Sequence, residues 1–102
     1  MRISFERTGG VAGMVMAVEL DTRRFPQEES RAWEDLVEAA DFFKLSPTLH
    51  PTQPETDRFV YTVTVRTGLR RHTVTVSESA IPSALQPLLE RLQSAARNKR
   101  EG

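Results

Sequence analysis

A chain of 102 residues without cysteine is the size of one domain, buries roughly two-thirds of the surface its unfolded chain exposes, and must do so without disulfides. Its 14 basic and 14 acidic side chains cancel, which removes the global field that draws proteins to nucleic acid or anionic membranes; the missing thiols exclude cysteine nucleophiles and cysteine-based metal sites. No apolar run approaches the about 20 residues of a membrane span, and MRISFERTGG lacks the apolar centre of a signal peptide, so a soluble cytoplasmic domain is expected.

Arg2-Ile3-Ser4-Phe5-Glu6-Arg7 alternates polar and apolar residues, the period of a half-buried strand. Thr8-Gly9-Gly10-Val11-Ala12-Gly13-Met14 follows, with three glycines in five positions. No Gly-Lys-Ser or Gly-Lys-Thr comes after it, and the next element is a strand, so this is not a phosphate loop. Two readings stay open: a flexible hairpin connection, or a loop whose backbone must come close to another surface. Met14, Met16, Val18 and Leu20 then share one face and give the return arm of the hairpin.

Pro26 suits the first helical position, and Glu28 and Glu29 suit the positive end of a helix. Trp33, Leu36, Val37, Ala40 and Phe43 follow at steps of three and four as one stripe. Residues 46–57 hold three prolines without periodicity and read as an extended loop. Alternation resumes over residues 58–66, turns at Thr67-Gly68-Leu69, and returns through His72 to Val76 as a second hairpin. Ser83 and Gln86 have capping-box spacing, with Pro87 in the first turn and Leu85, Leu88, Leu89 and Leu92 on one stripe. The order ββαββα predicts an α+β fold: a four-stranded antiparallel sheet with two helices on one face. Residues 1–96 form the single domain, and residues 97–102 a polar tail expected to fray.

The chemistry-bearing residues have structural readings. His72 keeps step with Val74 and Val76, so it is expected as a partly buried strand histidine bonded to a neighbour. His50, the other of the two histidines, lies in the proline loop, and the pair lacks zinc-site spacing. Ser77, Glu78, Ser79, Asp57 and His72 hold the groups of a hydrolytic triad, but no nucleophile elbow surrounds a serine. Glu28, Glu29, Glu34, Asp35 and Glu38 read as a solvated helix face, and Arg70-Arg71 as a soluble edge. No enzyme activity, cofactor or metal is expected, and no nucleic-acid or membrane partner.

Five segments in order carry a resemblance: Thr8-Gly9-Gly10-x-Ala12-Gly13; Val18-Glu19-Leu20-Asp21-Thr22; Ala39-Ala40-Asp41-Phe42-Phe43; Asp57-Arg58-Phe59-x-Tyr61-x-Val63; and Arg71-His72-Thr73-Val74 through Leu85-x-Pro87-Leu88-Leu89. Over residues 3 to about 92 the chain resembles the emfourin-like proteins, small bacterial inhibitors of protealysin and related thermolysin-type metalloproteases. The resemblance implies a cofactor-free inhibitor whose partner is a thermolysin-like zinc metalloprotease, often encoded beside it. Against such a cleft, Gly9, Gly10, Val11, Ala12, Gly13 and Met14 are the implied binding loop, with Val11, ahead of Met14, as an apolar plug. Leu49 and His50 in the proline loop are the implied second contact. The rival reading is a non-inhibitory protein-interaction domain of the same fold. Free of its target, the chain is expected to be a monomer.

Overall fold

The computed structural model describes residues 1–10, 15–49 and 58–101, the last three by backbone alone. Strands β1 (Arg2–Gly9) and β2 (Met16–Asp21) form the first hairpin arms, and helix α1 spans Gln27–Ala39. A two-residue strand β3 (Thr48–Leu49) comes before the second hairpin, β4 (Phe59–Thr67) and β5 (Arg70–Ser77), and helix α2 (Gln86–Glu101) is the last described element. The sheet order is β2-β1-β4-β5-β3.

This is the expected α+β class with two helices, but the sheet is mixed and five-stranded rather than antiparallel and four-stranded. The added strand is β3, which lies parallel to β5 with Thr48 against Thr75 and Leu49 against Val76. Pro47 starts the contact by accepting the Thr75 N–H at 2.8 Å. A strand of two residues has no period to read, so the segment looked like loop.

Period-two alternation sorts the sheet's two faces. Ile3, Phe5, Val63, Val65, Val74 and Val76 are buried on one of them, each no more than 2% exposed. Trp33 and Val37 of α1, and Leu88, Leu89 and Leu92 of α2, join them in one core cluster. Ser4, Glu6, Ala17, Glu19, Thr62 and Thr64 face the other way and are exposed or half-exposed.

Helix α1 begins one residue later than expected, with Pro26 as its N-cap residue and Glu28 and Glu29 in its first turn. It also ends earlier. Asp41 takes a left-handed conformation at φ 52°, ψ 45°, and a 3-10 turn over Phe42–Lys44 follows. Phe43 therefore does not continue the α1 stripe. The left-handed residue re-aims the chain so that Phe42, 1% exposed, takes the buried position that helical spacing gave to Phe43. Asp41 N–H bonds the Glu38 carbonyl at 2.9 Å, satisfying one of the free carbonyls at the helix end. At the far end of the chain, α2 runs on through residues 97–101, which were expected as tail.

His72 stands opposite Val65 in the β4–β5 ladder. Its Nε2 lies 2.7 Å from the Leu45 carbonyl oxygen, and its ring meets Phe42 edge-on at 5.7 Å between centroids. The histidine ties the segment after α1 to the sheet, the bonded role expected of it. Replacing it with alanine should remove both contacts and cost about 1–2 kcal/mol of stability. In urea titrations the unfolding midpoint of His72→Ala should fall with an unchanged m value. A midpoint equal to wild type would contradict the anchoring role.

Candidate functional site

The glycine segment leaves the sheet from the end of β1, and its stem is built by internal constraints. Gly9 and Gly10 both have positive φ, 93° and 78°, a region that side chains disfavour. Space adds a second reason. A Cβ on Gly9 would run into the Arg58 carbonyl oxygen, and one on Gly10 would sit 2.6 Å from Cε1 of Phe59. The Gly10 N–H also bonds the Arg58 carbonyl at 3.3 Å. Of the two readings left open by the sequence, the turning role therefore holds for these two glycines. Val11, Ala12, Gly13 and Met14 lie outside the described residues.

Phe59 is the centre of this stem. Its ring carries Gly10 against one edge and the Arg7 guanidinium over its face at 4.3 Å from the centroid. Its backbone N–H donates to Glu78 Oε1 at 3.1 Å. Arg7 reaches further, donating from Nη1 to Gln93 Oε1 of α2 at 2.9 Å. Arg7 Nε is buried and finds no acceptor among the described residues, while the Phe59 face and Gln93 engage the rest of the guanidinium. One cluster thus joins β1, β4, the turn after β5 and α2 beneath the point where the chain departs.

Tyr61 packs beside it, stacked on Phe5 at 6.2 Å. Burial pushes its phenol above the ordinary value, the Glu78 carboxylate adds to the rise, and Arg7 opposes it. At the other end of the hairpin arms, hydrogen bonds from Arg23 hold the Asp21 carboxyl well below the usual carboxylate range, and Asp21 in turn raises Arg23.

The second segment singled out by the sequence emerges nearby. Gly9 stands opposite Phe59, Val60 opposite Ser77, and Val76 opposite Leu49. The Gly9 end of β1 and the Leu49 end of β3 therefore open at the same end of the sheet. Three strand spacings separate them, about 14 Å. Leu49 itself is half-buried and packs against the core. His50 and Asp57 lie outside the described residues. Where the chain returns toward β2, Val15 is 59% exposed.

Two members of the hydrolytic set, His72 and Glu78, have structural partners. His72 faces Leu45 and the Phe42 and Phe43 rings, and Glu78 accepts from the Phe59 backbone. Among the described residues no group of three or more His, Cys, Asp or Glu side chains has metal-binding geometry. No described helix is long and apolar enough to cross a membrane.

Sequence alone pairs neither Arg7 with Gln93 nor Glu78 with the Phe59 backbone. The alternation of β1 marked Arg7 only by its parity with Ile3 and Phe5, and nothing local connects it to a residue 86 positions away. A family model described as Emfourin matches residues 5–93. No curated protein and no solved structure matches the chain.

Two measurements check the stem. Gly10→Ala combines a disfavoured φ with a steric overlap and should cost about 1–3 kcal/mol of folding stability, seen as a lowered Tm. The chain has a single tyrosine, so an ultraviolet absorbance titration reports Tyr61 alone. Its midpoint should lie above the ordinary phenol value of about 10 and fall back in denaturant. Because the neutral phenol is the form the fold favours, this contribution to stability is complete below the unfolded-state value and is lost as pH rises through the folded-state one. Arg7→Met should raise the midpoint further, since it removes the one opposing charge; a lowered midpoint would contradict the placement.

Proposed function

The chain belongs to the Emfourin family, and from that premise we propose that it is a proteinaceous inhibitor of a thermolysin-like, protealysin-type zinc metalloprotease. The connection over residues 9–14 enters the active-site cleft, and the segment leaving β3 after Leu49, beginning with His50, makes the second contact. The observation that carries this reading is the braced stem. Gly10, Phe59, Arg7 and Gln93 fix the point of departure through contacts to a second strand and a helix. A connection whose base is already ordered loses less conformational freedom on binding than a free peptide does.

Gly9 and Gly10 serve the stem, so recognition falls to the residues beyond them. Val11 offers the apolar side chain for a subsite just beyond the scissile bond, while Ala12 and Gly13 keep the backbone slim, and Met14 follows. The zinc belongs to the protease; the inhibitor needs no cofactor of its own. Leu49 lies at the same end of the sheet as Gly9, which supports a reading in which a partner seated over one connection would meet the other.

The test is an inhibition assay against a panel of thermolysin-type proteases, with Val11→Asp beside the natural chain. The substitution drives a carboxylate into a desolvated subsite and should weaken inhibition by roughly 2 kcal/mol or more while the Tm stays put. Unchanged inhibition by a folded Val11→Asp would exclude this connection as the reactive site and transfer the role to the segment after Leu49. A natural chain that inhibits none of the panel would favour the non-inhibitory interaction domain.

A further inference from the structure

The sheet has two edges, and they differ. At one, β3 is two residues long; at the other, β2 offers six residues in unbroken register with β1 and has no second neighbour among the described residues. The direction of its backbone groups follows from one bond. The Thr22 N–H donates to the Met1 carbonyl at 2.9 Å, continuing the register in which Asp21 faces Arg2. Alternation then turns the N–H and C=O groups of Leu20, Val18 and Met16 toward β1, and those of Asp21, Glu19 and Ala17 outward to the bare edge.

Such edges are ordinarily blunted by proline, lysine or a bulge. The sequence of β2, MAVELD, contains no proline or lysine, and its six pairs with β1 run without a bulge. Its charges are already compensated: Glu19 meets Arg2 at 3.5 Å, and Asp21 meets Arg23 at 2.8 Å.

We propose that β2 pairs antiparallel with β2 of a second copy of this chain, about a twofold axis at Val18, joining the two sheets into one. Only one register satisfies both the backbone and the side chains. With Ala17 opposite the partner subunit's Glu19, the outward groups of both residues bond across the axis. Val18 then meets its own copy on the apolar face, and Met16 meets the partner subunit's Leu20. A slip of one step in one direction sets two Glu19 carboxylates opposite each other, which is unfavourable. The same slip in the other direction moves the partner subunit's Glu19 against Val15, outside the strand. The formal net charge of zero means that two copies approach without overall repulsion. A strand from a different protein would find the same backbone groups but would have to supply its own matching alternation. This pairing revises the expectation of a free monomer, and it stands independently of the inhibitor reading.

The experiment is sedimentation equilibrium of the full chain across a concentration series, with three variants at the exposed Ala17. Ala17→Pro removes an outward N–H that β1 does not use, as an edge strand tolerates, and should abolish the dimer. Ala17→Lys sets an ammonium opposite the partner subunit's Glu19 at two symmetric positions and should tighten the dimer about tenfold; Ala17→Glu should loosen it by about as much. Glu6 faces residue 17 from β1 within the same subunit, so its effect on Tm is independent of protein concentration, whereas the dimer's effect grows with it. Tightening by Ala17→Lys, loosening by Ala17→Glu and loss with a folded Ala17→Pro would together support the pairing. A wild-type chain that stays monomeric up to about 1 mM would overturn it and leave the edge to a strand of another protein. A dimer indifferent to the three variants would also overturn it.

Discussion

The antiparallel pairing of β1 with β4 is the constraint on which the other elements depend. It runs without interruption from Arg2 opposite Arg66 to Gly9 opposite Phe59, and it joins strands far apart in the chain. Closing so long a loop costs entropy before any local contact compensates, so the ladder must be long and its inward face fully buried. Ile3, Val63 and Val65, all fully buried on that face, meet the requirement. Once β1 lies against β4, each strand brings its hairpin partner, and the order β2-β1-β4-β5 follows. The two helices then cover the apolar face that this order creates.

The same pairing decides where the candidate site sits. The ladder ends at Gly9 because the chain there turns to positive φ, and the Arg58 carbonyl leaves no room for a side chain. Phe59 opens β4 at that point and gathers Gly10, Arg7 and the Glu78 carboxylate around it. An arginine with a buried, unbonded Nε is an expensive brace compared with an apolar residue. What it provides is reach, since only a long side chain with several donors spans from the aromatic face to Gln93 on α2.

Local pattern carried most of the architecture, because alternation and helical stripes are the direct imprint of one-sided burial. Ile3 and Phe5, Trp33 and Val37, and Val63, Val65, Val74 and Val76 all stood in register with their neighbours before any fold was drawn. The features that escaped are those without a local period. Leu49 joins a strand only because β5 offers an edge to it. Asp41 breaks the α1 stripe by a backbone rotation that costs little for an aspartate and is invisible in hydrophobic spacing. Thr22, 1% exposed, is buried as a polar residue because its hydroxyl and N–H both reach the Met1 carbonyl, a contact that no window of sequence contains. His72 was legible for the opposite reason: its parity with Val74 placed it on the inward face, where a polar ring needs a bonded neighbour.

The glycine segment shows how far a motif and a function can come apart. Two of its glycines answer to demands inside the molecule, a positive φ and the ring of Phe59, and those demands exist whether or not anything is inhibited. A chain that had lost its target would still need Gly9 and Gly10 to fold. Gly9 and Gly10 therefore report the fold of the stem, and under the proposed inhibitor reading recognition would rest on the side chains beyond it, at positions 11, 12 and 14 and after Leu49. In that proposal the residues that folding requires are separate from those that would meet the partner. Under that reading, substitution at Val11 or Met14 would alter specificity and leave the Arg7–Phe59–Gln93 contacts, which other residues make, in place.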